Sequence, residues 1–143
     1  MTGFQTEDPD FERRVRENFG RQQVMQLIGA ELKRVEPGAV DIVLPYRQDL
    51  TQQDGYIHAG ILTTVADSAC GYAAYTLMPA GAEVLSVEFK VNLLRPAAGE
   101  MFMAEARVVK AGKTLTVTSC DVYGRAADDT KLVATMLATM IRR

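Results

Sequence analysis

The chain has 143 residues, a length at which one folded domain buries roughly 68–70% of the surface its unfolded chain exposes, so a single domain over residues 1–143 is expected. Hydrophobic residues at 48% and charged residues at 24% match an ordinary globular protein and exclude a disordered or repetitive chain. A net charge of −2 supplies no broad basic field, which argues against nucleic acid as a partner but allows a local patch for a phosphorylated ligand.

Glu7, Asp8 and Asp10 stand near the N-terminus in place of a basic, then apolar, leader. No stretch approaches the ~18 apolar residues of a membrane span, so a cytoplasmic protein with no membrane partner is expected. Phe11, Val15 and Phe19 recur at i, i+4 and i+8 among Arg13, Arg14, Arg16 and Glu17. That stripe predicts a short amphipathic helix ended by Gly20, within an N-terminal helical segment over 1–24. A second apolar cluster, Val24-Met25 with Leu27-Ile28, precedes two strands, Ala30 to Val35 and Val40 to Leu44. Glu36-Pro37-Gly38 between them is turn chemistry, so they form a hairpin.

Pro45 to Gly60 is a polar loop, long for a plain connection and therefore a place to look for function. From Ala59 to about Thr76 the residues are small or apolar and Asp67 is the sole formal charge, the pattern of a buried central helix. Met78-Pro79-Ala80-Gly81 stops it. Four strands follow: Val84 to Leu94, Met101 to Lys110, Thr114 to Tyr123 and Leu132 to Ile141, with turns at Arg95 to Gly99, Ala111 to Lys113 and Gly124 to Asp129. In the first, Leu85, Val87, Phe89, Val91 and Leu93 alternate with Ser86, Glu88, Lys90 and Asn92, predicting one buried and one polar face. The order β-β-α-β-β-β-β with short turns predicts an α+β fold, one antiparallel sheet of about six strands around one long helix.

Cys70 and Cys120 sit in apolar or β-branched runs and read as small buried thiols. One histidine and no close cysteine pair leave no ligand set for a zinc site, so neither a metal nor a cofactor is expected.

Asp67 carries the most information. An ionised carboxylate in apolar surroundings costs several kcal/mol unless it is paired or hydrogen-bonded, and the positions a turn away are Thr63, Thr64, Cys70 and Gly71, with no cation. Backbone amides or a distant Arg would satisfy it structurally; a catalytic carboxylate is the other reading. It shares a helix side with Gly60, Thr64, Gly71 and Ala74, small residues that let another surface approach.

His58 stands just before this helix, as a cap or as part of the chemistry. The first helical N–H groups, near Ala59, Gly60 and Ile61, lack intrahelical partners and lie at the positive dipole end, where a developing oxyanion is stabilised. Asp67 lies roughly 13 Å farther along the same helix at 1.5 Å per residue. If donor and carboxylate work together, two antiparallel copies of the helix must meet, which predicts a homodimer with composite sites.

Gln52-x-x-Gly55-x-x-His58-Ala59-Gly60 followed by Asp67 resembles the N-x-x-G-x-x-H-G-G and Asp signature of hotdog-fold acyl-CoA thioesterases of the phenylacetate-pathway (PaaI-like) type. The resemblance runs from about Met25 to Met140 and includes Ser86-Val87-Glu88-Phe89 and the Gly112-Lys113-Thr114 hairpin. It implies a hotdog fold and hydrolysis of an aromatic or medium- to long-chain acyl-CoA. Coenzyme A then belongs to the substrate, and the assembly is a dimer or tetramer. Asp67 becomes the nucleophile or general base, the Ala59 amide with Gly60 behind it becomes the oxyanion site, and His58 positions the loop and carbonyl. Gly55 belongs to the same loop signature, and Ser86 assists Asp67 or the water from the opposing subunit.

Two positions depart from the signature. Gln52 replaces the usual Asn and is one methylene longer; Ala59 replaces the first Gly of the pair, which a backbone donor tolerates unless the position needs positive φ. These departures favour the competing reading of a dimer that binds acyl-CoA without turnover. A hotdog hydratase or dehydratase is the other alternative, but the Asp-before-His or His-Phe-Pro arrangements usual there are absent. Lys90, Arg95, Lys110, Lys113 and Arg125 are the candidates for coenzyme A phosphates, and Leu62, Tyr72, Met78 and Leu85 for the acyl pocket.

Overall fold

The computed structural model describes residues 2–143; Met1, the first residue of the expected N-terminal segment, lies outside them. Helix α1 spans Phe11–Arg21 and α2 Gln23–Ile28, strands β1 and β2 span Glu31–Glu36 and Ala39–Pro45, and the long helix α3 spans Ala59–Tyr75. Strands β3 Val84–Leu93, β4 Met101–Ala111, β5 Leu115–Ala126 and β6 Asp129–Arg142 complete the chain. All pairings are antiparallel, in the order β1-β2-β4-β5-β6-β3, giving one six-stranded sheet.

The sheet curls around α3 as the hotdog arrangement requires. Helix residues Leu62, Val65, Ala66, Ala69, Cys70 and Ala73 meet Ile42, Leu44, Phe102, Cys120, Met136 and Met140 in one core. Small residues dominate the helix because the sheet closes on it from several strands, and a bulky side chain at each turn would hold the layers apart. Cys70 and Cys120 are both free and buried there. Among the described residues, no helix is long and apolar enough to cross a membrane.

Three elements differ from the sequence expectation. Gly20 does not end the first helix, which runs on to Arg21; Gln22 breaks it with extended backbone, and the second apolar cluster is itself the short helix α2. The break occurs where the Gln22 side chain turns inward to Tyr72 and Ser68, so tertiary hydrogen bonds decide it. The expected turn from Gly124 to Asp129 is shorter, with only residues 127–128 outside the paired strands and Ala127 at φ 52°.

The third difference concerns β3. Its apolar stripe is not buried within the chain: Leu85, Val87, Phe89 and Leu93 expose 48%, 53%, 43% and 54% of their surface. The strand pairs only with β6 and forms the sheet edge. A bulge between Ser86 and Glu88 also breaks the simple alternation. Ser86 pairs with Met140, and Phe89, Val91 and Leu93 pair with Ala138, Met136 and Ala134, all on the helix side. Glu88, Lys90 and Asn92 face the other way, opposite Thr139, Leu137 and Thr135. One extra residue therefore re-aims Ser86 toward α3.

Candidate active site

The loop before α3 is a built structure. Leu50 and Ile57 are buried anchors, Thr51 bridges to Ile57, and the Ile57 N–H donates to Ala97 O at 3.2 Å. Between the anchors, Gln52 Oε1 accepts from the N–H groups of Asp54 and Tyr56 at 2.6 and 3.3 Å. The Gln52 carboxamide oxygen is thus spent on the turn, and its Nε2 remains a donor. Gly55 sits in that turn at φ +88°, with nothing near its Cβ position. Its value is conformational freedom rather than space.

His58 is the N-cap of α3, with extended backbone, and its Nδ1 accepts from the Gly60 N–H at 2.8 Å. A neutral imidazole that accepts at Nδ1 carries its proton on Nε2, so His58 presents an outward N–H donor. The Ile61 N–H is also occupied, by His58 O at 2.9 Å. Of the three helix-start donors expected to face an oxyanion, Gly60 and Ile61 are committed within the chain. The Ala59 N–H alone remains without a partner among the described residues. Ala59 is helical, so its methyl group replaces the usual glycine without strain.

A groove of about 470 Å³ opens at this helix start, lined by Gln52, Tyr56, Ala59, Leu62, Leu93 and Arg95. It continues into a second groove that shares Tyr56, Arg95 and Pro96 and also contains Lys131. Of the five candidate phosphate ligands, Arg95 lies in this region. Lys113 lines a separate cavity with Met78 and Phe4 at the other end of the sheet, and Lys110 belongs to that end of β4. Lys90 is mid-strand on the outer face, and Arg125 Nε donates to Ala127 O at 3.4 Å. Of the expected acyl-pocket residues, Leu62 lines the helix-start groove, Tyr72 and Leu85 line a cavity beside Asp67, and Met78 lines neither. Lys131 escaped the sequence reading because β6 begins three residues earlier than its apolar pattern.

Asp67 lies farther down α3, half-buried. Ser86 Oγ donates to its Oδ1 at 2.6 Å and also lies 3.4 Å from Met140 Sδ. Both partners belong to one chain, because the strand after α3 returns along it and the bulge turns Ser86 inward; an opposing subunit is not needed to supply this serine. Among the described residues, Asp67 has no ion pair and accepts from no backbone amide. The two structural explanations for a lone helical carboxylate are absent. No group of three or more His, Cys, Asp or Glu side chains is placed to hold a metal ion among the described residues.

Beside Asp67, Ser68 and Tyr72 meet the N-terminal helices through Asn18 and Gln22. Burial holds the Tyr72 phenol above its ordinary value, partly offset by Gln22, so Tyr72 remains a hydrogen-bond donor. Arg14 fixes α1 in place: its guanidinium donates to Asp8 at 2.8 Å and to the carbonyls of Tyr75 and Met78 at 3.3 and 2.8 Å. It also lies 4.3 Å from the centre of the Tyr75 ring. A cation at the C-terminal end of α3 satisfies orphan carbonyls and opposes the helix dipole.

The chain is similar in sequence and fold to known proteins. The family model of the thioesterase superfamily matches residues 54–129. Human acyl-coenzyme A thioesterase 13 is 32% identical over 68% of this chain and 69% of its own. A thioesterase family protein from Silicibacter pomeroyi is 49% identical, with a TM-score of 0.91, covering 92% of this chain and 97% of that one. The PaaI protein from the phenylacetic acid degradation operon of E. coli shares the fold, with a TM-score of 0.84 at 19% identity over 94% of each chain.

Proposed function

From the premise that this chain belongs to the thioesterase superfamily, we propose that it hydrolyses acyl-CoA thioesters with Asp67 as the catalytic general base. The observation that carries this is the Ser86 hydrogen bond to Asp67 Oδ1 at 2.6 Å in the wall of a cavity. Ser86 donates its one proton to Asp67 and keeps lone pairs on Oγ. A water can then donate to Asp67 Oδ2 and to Ser86 Oγ together, held and deprotonated at one place.

The second half of the reaction needs donors at the thioester oxygen. The Ala59 N–H and the His58 Nε2–H supply them from the start of α3, with the Gln52 amide beside them. Within one chain these donors and Asp67 are separated by roughly 13 Å, about half the length of α3, so the site is completed by a second copy. The exposed helix-side stripe of β3, Phe89 and Leu93, is the surface that such a copy covers, and the assembly is a homodimer able to pair into a tetramer.

In this arrangement the water proton passes to Asp67 and the water oxygen attacks the carbonyl carbon. The oxyanion rests on Ala59 and His58 until it collapses, and coenzyme A leaves as a thiolate that takes up the proton. A thiol of ordinary pKa of about 8.5 is a good leaving group. Arg95 and Lys131 stand near the helix-start groove, where their charge suits the phosphates of the coenzyme.

The test is thiol release from aromatic, short, medium and long acyl-CoAs by wild type and Asp67→Asn. Loss of a general base lowers kcat roughly 10²- to 10⁴-fold. Wild-type turnover in Asp67→Asn would refute the mechanism, and hydration of an enoyl-CoA without thiol release would replace the reaction class.

A further inference from the structure

A relay of hydrogen bonds runs from the central helix to the N-terminal helices beside Asp67. Ser68 Oγ donates to Gln22 Oε1 at 2.9 Å, Gln22 Nε2 to Tyr72 Oη at 2.8 Å, and Tyr72 Oη to Asn18 Oδ1 at 2.9 Å. This direction of donation orients both carboxamides with their oxygens in the network. Among the described residues it leaves one N–H of Gln22 and both of Asn18 uncommitted.

These side chains wall a cavity of about 240 Å³ that also contains Asp67 and Ser86, larger than the roughly 150 Å³ that accepts a benzene molecule. Gly71, one turn beyond Asp67, extends it: a Cβ added there would meet nothing within 4 Å. Among the described residues, no Lys, Arg or His lines the cavity.

We propose that this cavity receives the acyl group and that Asn18 and Gln22 select acyl groups carrying a neutral oxygen substituent, a hydroxyl or a ketone. The proposal rests on Asp67 acting at the thioester carbon. That carbon must come within roughly 3–3.5 Å of the attacking oxygen, so the acyl chain attached to it starts at the cavity mouth. A plain alkyl chain leaves the amide donors desolvated and unpaired, and a site built to bond a substrate oxygen rejects the analogue lacking it. A carboxylate substituent meets the charge of Asp67 with no compensating cation and is excluded more strongly.

The experiment uses the full chain and measures kcat/KM by thiol release for hexanoyl-CoA, its hydroxy derivatives along the chain and its ω-carboxy derivative. Wild type is expected to favour the best hydroxyacyl-CoA over the plain one by about tenfold, and to turn over the carboxy form least. Gln22→Met and Asn18→Leu bring the hydroxy-to-plain ratio to about one while plain hexanoyl-CoA is still hydrolysed. A merely structural role for the relay would lower both substrates alike and leave the ratio unchanged. If Gln22→Met fails to fold, Asn18→Leu, at the far end of the relay, still reports the ratio. A wild-type ratio near one, or a ratio unmoved in the folded variants, overturns the selectivity alone. No thiol release from any of these substrates overturns the selectivity, and only silence across the aromatic, short, medium and long acyl-CoAs as well overturns the thioesterase reading with it.

Discussion

Phe89 leaves 43% of its surface uncovered on the helix side of an edge strand, and that exposure sets a measurable cost. A Phe side chain offers roughly 150–250 Å², so about 80 Å² awaits a partner. At ~25 cal/mol per Å² this is worth about 2 kcal/mol. A symmetric dimer uses the residue twice, so Phe89→Ser weakens association by about 4 kcal/mol, roughly a thousandfold in Kd. Phe89 is not part of the buried core cluster, and the variant monomer stays folded. Sedimentation velocity across a dilution series, with thiol release followed in parallel, is the assay. The variant should be monomeric at concentrations where wild type is dimeric, with turnover falling as the dimer is lost and circular dichroism unchanged. A variant whose dimer dissociates no more readily than that of wild type, or a monomer with full turnover, would refute the reasoning.

Ser86→Ala removes the hydrogen bond that orients Asp67. A bond to a charged group is worth ~1.5–3 kcal/mol, so kcat should fall by one to two orders of magnitude with little change in KM, read by steady-state kinetics. Acid stability tests the anchoring of α1. The Arg14 hydrogen bond holds the Asp8 carboxyl below its ordinary value of 3.8. A depressed native pKa contributes stability that is present above the unfolded value and is lost as pH falls through the native one. Thermal melts should therefore show the wild-type melting temperature dropping as pH falls below about 4, with a shallower drop in Asp8→Asn. Equal slopes would remove Asp8 from the account.

The core elements were legible because their patterns are local. An unbroken run of small and apolar residues around a single charge marks α3, and β-branched alternation marks the long strands of the sheet. Asp67 stood out for the same reason, as did the Gly55, His58 and Gly60 spacing. The position of β3 was not legible, since period-two alternation looks the same whether a strand is covered by its own chain or by another copy. The bulge at Val87 was hidden too. Alternation groups Ser86 with Glu88, Lys90 and Asn92, and only the bulge separates it from them and turns it toward Asp67. Asn18 and Gln22 carry no signal in the local pattern; only Tyr72, about fifty residues away, gives them a partner. At the helix start, residue types placed three amide donors together, but only side-chain geometry reveals that His58 occupies the Gly60 N–H.

The central claim is that Asp67 of one copy works with the helix start of another, and complementation tests it most directly. Asp67→Asn and His58→Ala, each inactive or nearly so alone, are mixed in equal amounts, dissociated and reassembled. In a dimer with shared sites, half the molecules are mixed and each carries one site with both intact halves, so activity should return to about a quarter of wild type. Activity that stays at the sum of the two separate variants, in a preparation shown to contain mixed dimers, would contradict the account.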